Sequence, residues 1–202
     1  MPLHTEILIV GGGAAGVCCA HYLHADGCAV TLVDQAEICA GASYGNAGLI
    51  AASHCEPLPA PGMIARALQW LLDPESPFYI KPRPDIDLLR WLWRFRGHCN
   101  HSHLHRALPI LKDLNAASLQ LFIDLAATED LDIGFRQSGQ ATLYATRPGL
   151  ADGMEKSRLL SQFGIESRPF SGDAVRQYTG AQRCLAVGGV YYPQDARVPP
   201  ER

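Results

Sequence analysis

Charged residues are scarce in this sequence, and several features that would define a protein class are missing. Of its 202 residues 18% are charged, and the net charge of −3 gives no sign of the basic surface that nucleic-acid-binding proteins carry. No apolar run approaches the ~20 residues that a membrane-spanning helix needs. The apolar stretch Ile7–Val10 is too short for the core of a secretory signal. We therefore expect a cytoplasmic protein that does not bind nucleic acid.

Signatures of several enzyme and metal-site classes are also absent. The seven cysteines are odd in number and contain no CxxC pair, which predicts reduced thiols of an intracellular protein rather than a disulfide scaffold or zinc site. No Ser-His-Asp set, paired carboxylate signature, Lys-bearing P-loop or internal repeat is found. Histidines cluster at 98–105, where a metal site is conceivable. Without a second ligand pair elsewhere, a polar connection between helices is favoured and no metal is predicted.

What the sequence does contain is a nucleotide-binding fingerprint near its start. Ile7–Val10 is a continuous apolar run, typical of a strand that is buried on both faces of a parallel sheet. It leads into a GxGxxG motif formed by Gly11, Gly13 and Gly16. The first glycine allows the tight turn, the second lets the backbone approach a pyrophosphate, and the third lets the next helix pack on the sheet.

The residues after the motif complete a βαβ unit. A helix is predicted over residues 14–25, with Gly27 as its C-terminal stop, and a second strand over residues 29–33. Asp34 follows that strand, where a carboxylate can accept hydrogen bonds from a ribose 2′-hydroxyl and would repel a 2′-phosphate. The unit therefore predicts binding of the ADP half of NAD or FAD rather than NADP.

The segment at 39–50 favours FAD over NAD. An NAD-binding unit usually continues into an ordinary crossover helix, whereas this segment is a loop of small, hydroxyl and amide residues. Such a loop suits close approach to phosphate and to a flat ring. The predicted cofactor-binding residues are accordingly Val10, Gly11, Gly12, Gly13, Ala14, Ala15, Gly16, Asp34, Ser43, Asn46, Ala47 and Gly48.

The sequence resembles the small subunit of bacterial D-amino-acid dehydrogenases, within the FAD-dependent amine oxidoreductases that include glycine oxidase and D-amino-acid oxidase. Besides the fingerprint, the resemblance rests on GASYGNAG at 41–48 and on residues 60–62, 70–72, 80–82, 91, 99–100, 135–139 and 188–193. Two departures are the missing Glu-Pro pair near Thr179-Gly180 and the chain length, about half that of the family. The prolines and acid at 199–201 are typical of the start of a helix, so we interpret the chain as the N-terminal half of a longer or split enzyme.

The resemblance implies an activity and its partners. A D-amino acid would lose its α-hydrogen as hydride to the flavin, and the imino acid would hydrolyse to a 2-oxo acid and ammonia. Electrons would pass to a membrane quinone or another electron-transfer acceptor, which allows peripheral association with the inner face of the cell membrane. A complementary C-terminal half would complete the site. An oxidase or a dehydrogenase for glycine, hydroxyproline or an opine is the same-fold alternative. The second alternative is that the chain is an inactive fragment or a non-catalytic subunit that needs a partner.

The predicted fold class is α/β: a Rossmann-type FAD-binding βαβ unit plus part of an α+β substrate domain. We expect an FAD-binding part at 1–77, a substrate domain at 78–190 and a return segment at 191–202. Residues 57–62 are predicted as a linker, 74–84 as an irregular connection and 139–146 as a half-buried antiparallel strand. Helices are predicted at 85–95, 109–128 and 150–163, and strands at 165–170 and 187–192. Helix 85–95 is basic and amphipathic; a core helix is favoured over one that lies on an anionic membrane.

Overall fold

The structure is a computed structural model that describes residues 5–70, 84–128, 132–179 and 185–199. Most of the predicted connection at 74–84, the boundary at residue 77, Cys184 and the predicted helix start at 200–202 lie outside these ranges. The elements in chain order are β1 Ile7–Val10, α1 Ala14–Ala25, β2 Val30–Val33, β3 Leu49–Ile50, α2 Met63–Trp70, α3 Ile86–His98, α4 His101–Ala126, β4 Gln140–Tyr144, α5 Arg147–Ser161, β5 Arg168–Ser171, α6 Gly172–Thr179, β6 Gly188–Tyr192 and β7 Ala196–Arg197.

The first unit is the predicted βαβ arrangement. β1 and β2 pair in parallel, with Ile7 opposite Val30 and Val10 opposite Val33, and α1 is the crossover between them. α1 has the predicted bounds and stops at Gly27, whose φ of 88° is in the left-handed region that glycine adopts readily. The prediction of the nucleotide-binding unit is therefore confirmed at the level of its elements.

The predicted burial of β1 on both faces is wrong for this structure. Leu8 is 59% exposed and Val10 is 80% exposed, while Ile7 and Ile9 are half-buried. The pair β1–β2 forms a sheet of two strands, and α1 packs against it. Within the described residues no second layer covers the Leu8 and Val10 side of this sheet, which accounts for the difference.

The second sheet is antiparallel, with strand order β4-β6-β5, as predicted for this region. The strand expected at 165–170 instead begins at Arg168, and the helix expected at 150–163 begins earlier, at Arg147. The earlier start follows from Thr146, whose hydroxyl accepts a hydrogen bond from the Gly149 N–H and caps the helix. α6 was not predicted from the sequence.

β4 turns its polar residues, not its apolar ones, toward the protein interior. Gln140, Thr142 and Tyr144 are half-buried, whereas Leu143 on the opposite face is 46% exposed. α5 approaches this strand at Gly153, where a Cβ would collide with the Tyr144 ring. The alternation that predicted a half-buried antiparallel strand was thus correct, and the half-buried face is the one that carries Gln140, Thr142 and Tyr144.

The long helix α4 begins eight residues before its predicted start at 109. The Asn100 side chain accepts a hydrogen bond from the His103 N–H at 2.9 Å and caps the helix, and Pro109 is accommodated within it. His101, His103 and His105 therefore lie in the first turns of α4, and the prediction that they form a connection is wrong. Within the described residues no three metal-binding side chains come together.

The core lies between α4, α5 and the antiparallel sheet. Its larger cluster consists of Cys55, Leu104, Leu108, Leu160, Ile165, Val190 and Tyr192, and a smaller one consists of Ala52, Leu119 and Ala196. The chain after the predicted cofactor loop enters this core directly, because β3 pairs with β7 and Cys55 is fully buried. The loop is thus held between the nucleotide-binding unit and the second sheet.

Candidate cofactor site

The glycine turn has the backbone geometry that its motif predicts. Gly11 has a φ of 111°, which side-chain-bearing residues rarely adopt, and its N–H donates to the Val33 carbonyl at 2.8 Å. A Cβ on Gly16 would overlap the Gly11 carbonyl oxygen. Gly16 is therefore required for α1 to pack against the turn, which is the reason given for the third glycine of the motif.

The two glycines at the centre of the turn face different surroundings. Gly12 is buried, and a Cβ there would collide with the Ile38 side chain and lie 3.2 Å from a Leu32 methyl group. Gly13 has an extended backbone that any residue can adopt, with φ −75° and ψ −179°, and its Cβ would lie 3.2 Å from the Ser43 hydroxyl oxygen. A side chain at position 12 is thus excluded by the packing of Ile38 and Leu32. A side chain at position 13 would meet only the Ser43 hydroxyl.

The N-terminus of α1 is the positive end of the helix dipole, and the first turn of the helix has no acidic side chain. Its N-cap is Gly13, which has no side chain to accept hydrogen bonds, and its first turn contains no Asp or Glu. The Ala14 N–H instead donates to the Ser43 hydroxyl at 2.9 Å, across 29 residues of sequence. Free N–H groups and the helix dipole make such a terminus a binding site for anions, phosphates in particular.

Asp34 lies next to this turn at the end of β2. Its Oδ2 accepts a hydrogen bond from the Gly12 N–H at 2.7 Å and its Oδ1 from the Ala36 N–H at 2.9 Å. The bond from Gly12 and then that from Ala36 lower the pKa of this exposed carboxyl below its ordinary value. The side chain is therefore an anchored carboxylate near neutral pH, with lone pairs left to accept hydrogen bonds from hydroxyl groups.

The loop at 41–48 is held by its own amide side chain. Asn46 donates through Nδ2 to the Ser43 carbonyl and accepts through Oδ1 from the Gly48 N–H, both at 2.5 Å. Gly48 has a φ of 62° and its carbonyl accepts from the Val198 N–H at 2.8 Å. Asn46 thus shapes the loop, and the Val198 contact ties the loop to the end of the described chain.

A cavity of ≈ 680 Å³ opens between α1, this loop and α4. Five of the twelve predicted cofactor residues line it: Ala14, Ser43, Asn46, Ala47 and Gly48. The other seven are in or beside the glycine turn, outside the cavity lining: Val10, Gly11, Gly12, Gly13, Ala15, Gly16 and Asp34. Two hydrogen bonds connect these groups, since Asp34 accepts from Gly12 in the turn and Ser43 of the cavity lining accepts from Ala14 at the start of α1.

The far wall of the cavity was not predicted from the sequence. Asn115, Ser118 and Phe122 of α4 line it, and their spacing of three and four residues places them on one helix face. Asn115 also donates to the His54 carbonyl at 3.1 Å, which joins α4 to the chain beyond the loop. In the sequence, the only indication of this wall is that the polar residues Asn115 and Ser118 share one face of a largely apolar helix.

A buried carboxylate lies beneath the cavity. Asp195 is 0% exposed and accepts hydrogen bonds from the Ser53 N–H at 2.9 Å and the Ser53 hydroxyl at 2.6 Å. Burial raises the pKa of this carboxyl, and the two bonds from Ser53 oppose that rise. Ser53 follows Ala52, which lines the cavity, and Asp195 follows shortly after β6 of the second sheet. The Ser53–Asp195 hydrogen bonds therefore connect the cavity lining to that sheet.

Curated relatives carry names that agree with the resemblance found in the sequence. The chain is 31% identical over 198 residues to D-amino acid dehydrogenase 2 of Ralstonia nicotianae, with 94% of this chain and 46% of that protein covered. It is 30% identical over 194 residues to D-amino acid dehydrogenase of Vibrio vulnificus, with the same coverage of 94% and 46%. The chain spans about half the length of the curated relatives it matches.

Solved structures share the fold. Glycine oxidase from Bacillus cereus superposes with a TM-score of 0.61 at 22% identity, covering 98% of this chain and 41% of that one. L-proline dehydrogenase from P. horikoshii gives a TM-score of 0.56 at 15% identity, covering 100% of this chain and 40% of that one. A family model described as FAD dependent oxidoreductase matches residues 6–202. With its parallel βαβ unit, antiparallel second sheet and glycine turn, the chain belongs to the FAD dependent oxidoreductase family.

Proposed function

We propose that this chain binds FAD, with the ADP half at the glycine turn and the flavin half toward the cavity between α1 and α4. The observation that carries the proposal is that hydrogen bonds connect the Asp34 carboxylate, the uncompensated α1 terminus and the cavity lining. The family's cofactor supports it, and the twelve residues predicted from the sequence are the proposed contacts.

Each part of the site has a separate role in this proposal. The N–H groups at the start of α1 bind the pyrophosphate, and Gly13 leaves the space for it beside Ser43. The Ser43 hydroxyl, which accepts from Ala14, has its own hydrogen to donate to a phosphate oxygen. Asp34 accepts from the ribose hydroxyls while Gly12 and Ala36 hold its orientation.

The residues present fit this cofactor on steric grounds. Side chains are excluded from the turn by Gly11, Gly12 and Gly16, so backbone N–H groups rather than side chains face an approaching phosphate. The loop at 41–48 directs its amide inward to its own backbone and leaves small residues toward the cavity. A flat ring can therefore lie against this loop without displacing a large side chain.

The reaction we propose for the whole protein is oxidation of a D-amino acid to a 2-oxo acid and ammonia. When bound, FAD would supply the oxidant that takes the hydride from the substrate α-carbon. Water would then hydrolyse the imino acid, and the electrons would pass on to a quinone-type acceptor. The names of the curated relatives favour a D-amino acid as substrate. The second candidate is a smaller amine, with oxygen as the electron acceptor, because glycine oxidase shares the fold. We assign no catalytic side chain among the described residues.

The organisation and location of the protein complete the proposal. We propose an FAD-binding part at 1–77, a substrate domain at 78–190, a return segment at 191–202 and a complementary C-terminal half that closes the flavin site. A cytoplasmic location agrees with the six cysteines of the described residues, all of which are free thiols. Among the described residues no helix is long and apolar enough to cross a membrane.

The cofactor proposal is tested by calorimetric titration of the full-length protein, freed of flavin, with ADP, AMP and 2′-phospho-ADP. ADP should bind, AMP should bind at least about tenfold more weakly because it lacks one phosphate of the pair, and the 2′-phosphate should be rejected by Asp34. Equal affinities for the three would contradict the proposed site. The reaction is tested separately with the full-length protein, by dye reduction with D-alanine and by oxygen uptake with glycine.

A further inference from the structure

A second, smaller pocket borders the cavity proposed for the flavin. It has a volume of ≈ 310 Å³ and lies between the chain that follows β3 and the helix α5, and His54 lines both this pocket and the cavity. None of the twelve proposed cofactor contacts lines it. We call it the side pocket, and the polar residues among its described lining are His54, Glu56, Arg66 and Lys156.

Two ion pairs join the walls of the side pocket. Lys156 Nζ lies 2.7 Å from Glu56 Oε2, and Arg66 Nη2 lies 2.9 Å from Asp152 Oδ2. Asp152 and Lys156 are four residues apart on α5, so both ion pairs start from one face of this helix. The Arg66 and Lys156 cations are therefore held at adjacent turns of α5, where both line the pocket.

Both cations retain hydrogen-bond donors for a ligand. A lysine ammonium has three N–H donors and an arginine guanidinium has five, and each ion pair occupies one of them. The Arg66 and Asp152 side chains are 55% and 64% exposed, so their pair contributes little to folding and Arg66 is free to bind another carboxylate. A carboxylate in the side pocket would accept charge-assisted hydrogen bonds from both cations.

The lining of the side pocket matches an acidic group on a short apolar stem. Arg66 and Lys156 against Glu56 give the described lining a net charge of +1 when His54 is neutral. Leu58 and Met63 supply apolar surface for methylene groups. A basic ligand group would find Glu56 alone, which Lys156 already occupies. The side pocket therefore favours a carboxylate over an ammonium or guanidinium group.

We infer that the side pocket receives the side chain of the substrate and selects an acidic one, so that the preferred substrate class is the D-amino dicarboxylic acids. The side-chain carboxylate binds Arg66 and Lys156, while the α-carbon lies in the cavity beyond His54. The inference rests on the proposed function and narrows its substrate. D-Alanine, whose side chain is a single methyl group, leaves the side pocket unoccupied and should be a weaker substrate.

The first test compares D-glutamate with D-glutamine, which has the same size and a neutral side chain, in dye reduction by the full-length protein. The value of kcat/KM should be at least about tenfold higher for D-glutamate. Arg66→Gln should lower this ratio about tenfold, through KM rather than kcat, because the side-chain contact is the same before and during the reaction. Arg158→Gln is the matched control, since Arg158 is exposed on α5 and does not line the pocket. Equal values for the two substrates, or a higher value for D-lysine, would overturn the inference.

A gain of affinity separates recognition from a structural role of the ion pair. Glu56→Gln removes the carboxylate that competes for Lys156, so KM for D-glutamate should fall about threefold. A pair that only stabilises the fold would instead give a less stable protein and no lower KM.

Binding of glutarate and butyrate tests the side pocket without turnover, because neither compound has an amine to oxidise. Calorimetry of the full-length protein should show glutarate binding at least about tenfold more tightly than butyrate, and Arg66→Gln should largely remove that difference. Equal affinities would overturn the inference. A glutarate preference in a protein that reduces no dye with any D-amino acid would contradict the proposed reaction and support the side pocket as a carboxylate site.

Discussion

At the scale of single residues, the site depends on which positions lack a side chain. Gly11 and Gly16 are required by the turn itself, because one has a positive φ and the other would strike a carbonyl oxygen. Gly13 is different, since its backbone is ordinary and its Cβ would meet only the Ser43 hydroxyl at 3.2 Å. Gly13 is thus the position where a side chain can block the phosphates without breaking the fold.

Gly13→Val should therefore abolish cofactor binding with little loss of stability. A valine at 13 displaces Ser43 and fills the space that the pyrophosphate needs, so we expect FAD affinity to fall at least about tenfold. Absorbance of bound flavin in the purified full-length protein measures this. Gly97→Val is the control, because a Cβ there meets nothing within 4 Å and lies outside the cavity. Stoichiometric flavin in the Gly13 variant would refute the assignment.

Asp195 should make folding stability depend on pH. Its pKa is raised in the folded state, so the protonated form contributes stability that is lost as pH rises through that raised pKa. Asn at this position stays neutral, can accept from the Ser53 N–H and can donate to the Ser53 hydroxyl. Asp195→Asn should therefore gain stability relative to wild type as the pH increases above about 4.

The alanine variant separates hydrogen bonding from charge. Asp195→Ala leaves the buried Ser53 N–H without its acceptor and should cost about 1–3 kcal/mol in the free energy of unfolding. Urea unfolding of wild type and both variants at acidic and neutral pH measures these differences. A stability gap between Asp195→Asn and wild type that does not change with pH would show that the Asp195 carboxyl keeps an ordinary pKa.

At the scale of elements, α4 contributes side chains both to the core and to the cavity wall. Leu104, Leu108 and Leu119 are buried in the core, while Asn115, Ser118 and Phe122 line the cavity. The capping side chain of Asn100 determines where this helix begins, and with it the position of every later residue. α4 therefore couples the packing of the second sheet to the width of the cavity.

Filling the cavity from α4 should distinguish the two ends of the cofactor. Ser118→Trp places an indole in the region proposed for the flavin half, so FAD affinity should fall at least about tenfold while ADP affinity stays unchanged. Ala117→Trp is the matched control, since Ala117 is the exposed neighbour and does not line the cavity. Titration with FAD and ADP measures both. A parallel loss of ADP binding would place the flavin half elsewhere.

At the scale of the whole molecule, the described residues leave a large part of the first sheet uncovered. Leu8, Val10 and Val33 are 59%, 80% and 41% exposed on a sheet of two strands. Exposed strand edges and apolar patches of this kind promote association. The relatives that this chain matches are about twice as long, and a second half of the fold is the natural cover for this surface.

The 202-residue chain expressed alone should therefore self-associate and show no D-alanine-dependent dye reduction. Leu8→Lys should reduce the association, because it places a charge on the uncovered face. Leu121→Lys, at a 47% exposed position of α4, should not. Light scattering gives the size, and dye reduction gives the activity. A yellow, monodisperse monomer that turns over D-alanine would refute this prediction and the interpretation of the chain as half of an enzyme.

The nucleotide-binding unit was determined by the sequence because its information is local. Strand, glycine turn, helix, stop glycine and acid follow one another within Ile7 to Asp34, and each rests on the backbone preference of a single residue or on short-range periodicity. The loop at 41–48 was likewise recognisable from its composition. These parts needed no information about distant partners.

Only the tertiary structure decided what surrounds that unit. Ser53 bonds Asp195 across 142 residues, and Ser43 caps a helix 29 residues before it. The α4 wall, the inward face of β4 and the uncovered side of β1 also depend on what packs against each element. Periodicity gives the spacing of a face but not its neighbour, because a side chain is buried only where another element covers it.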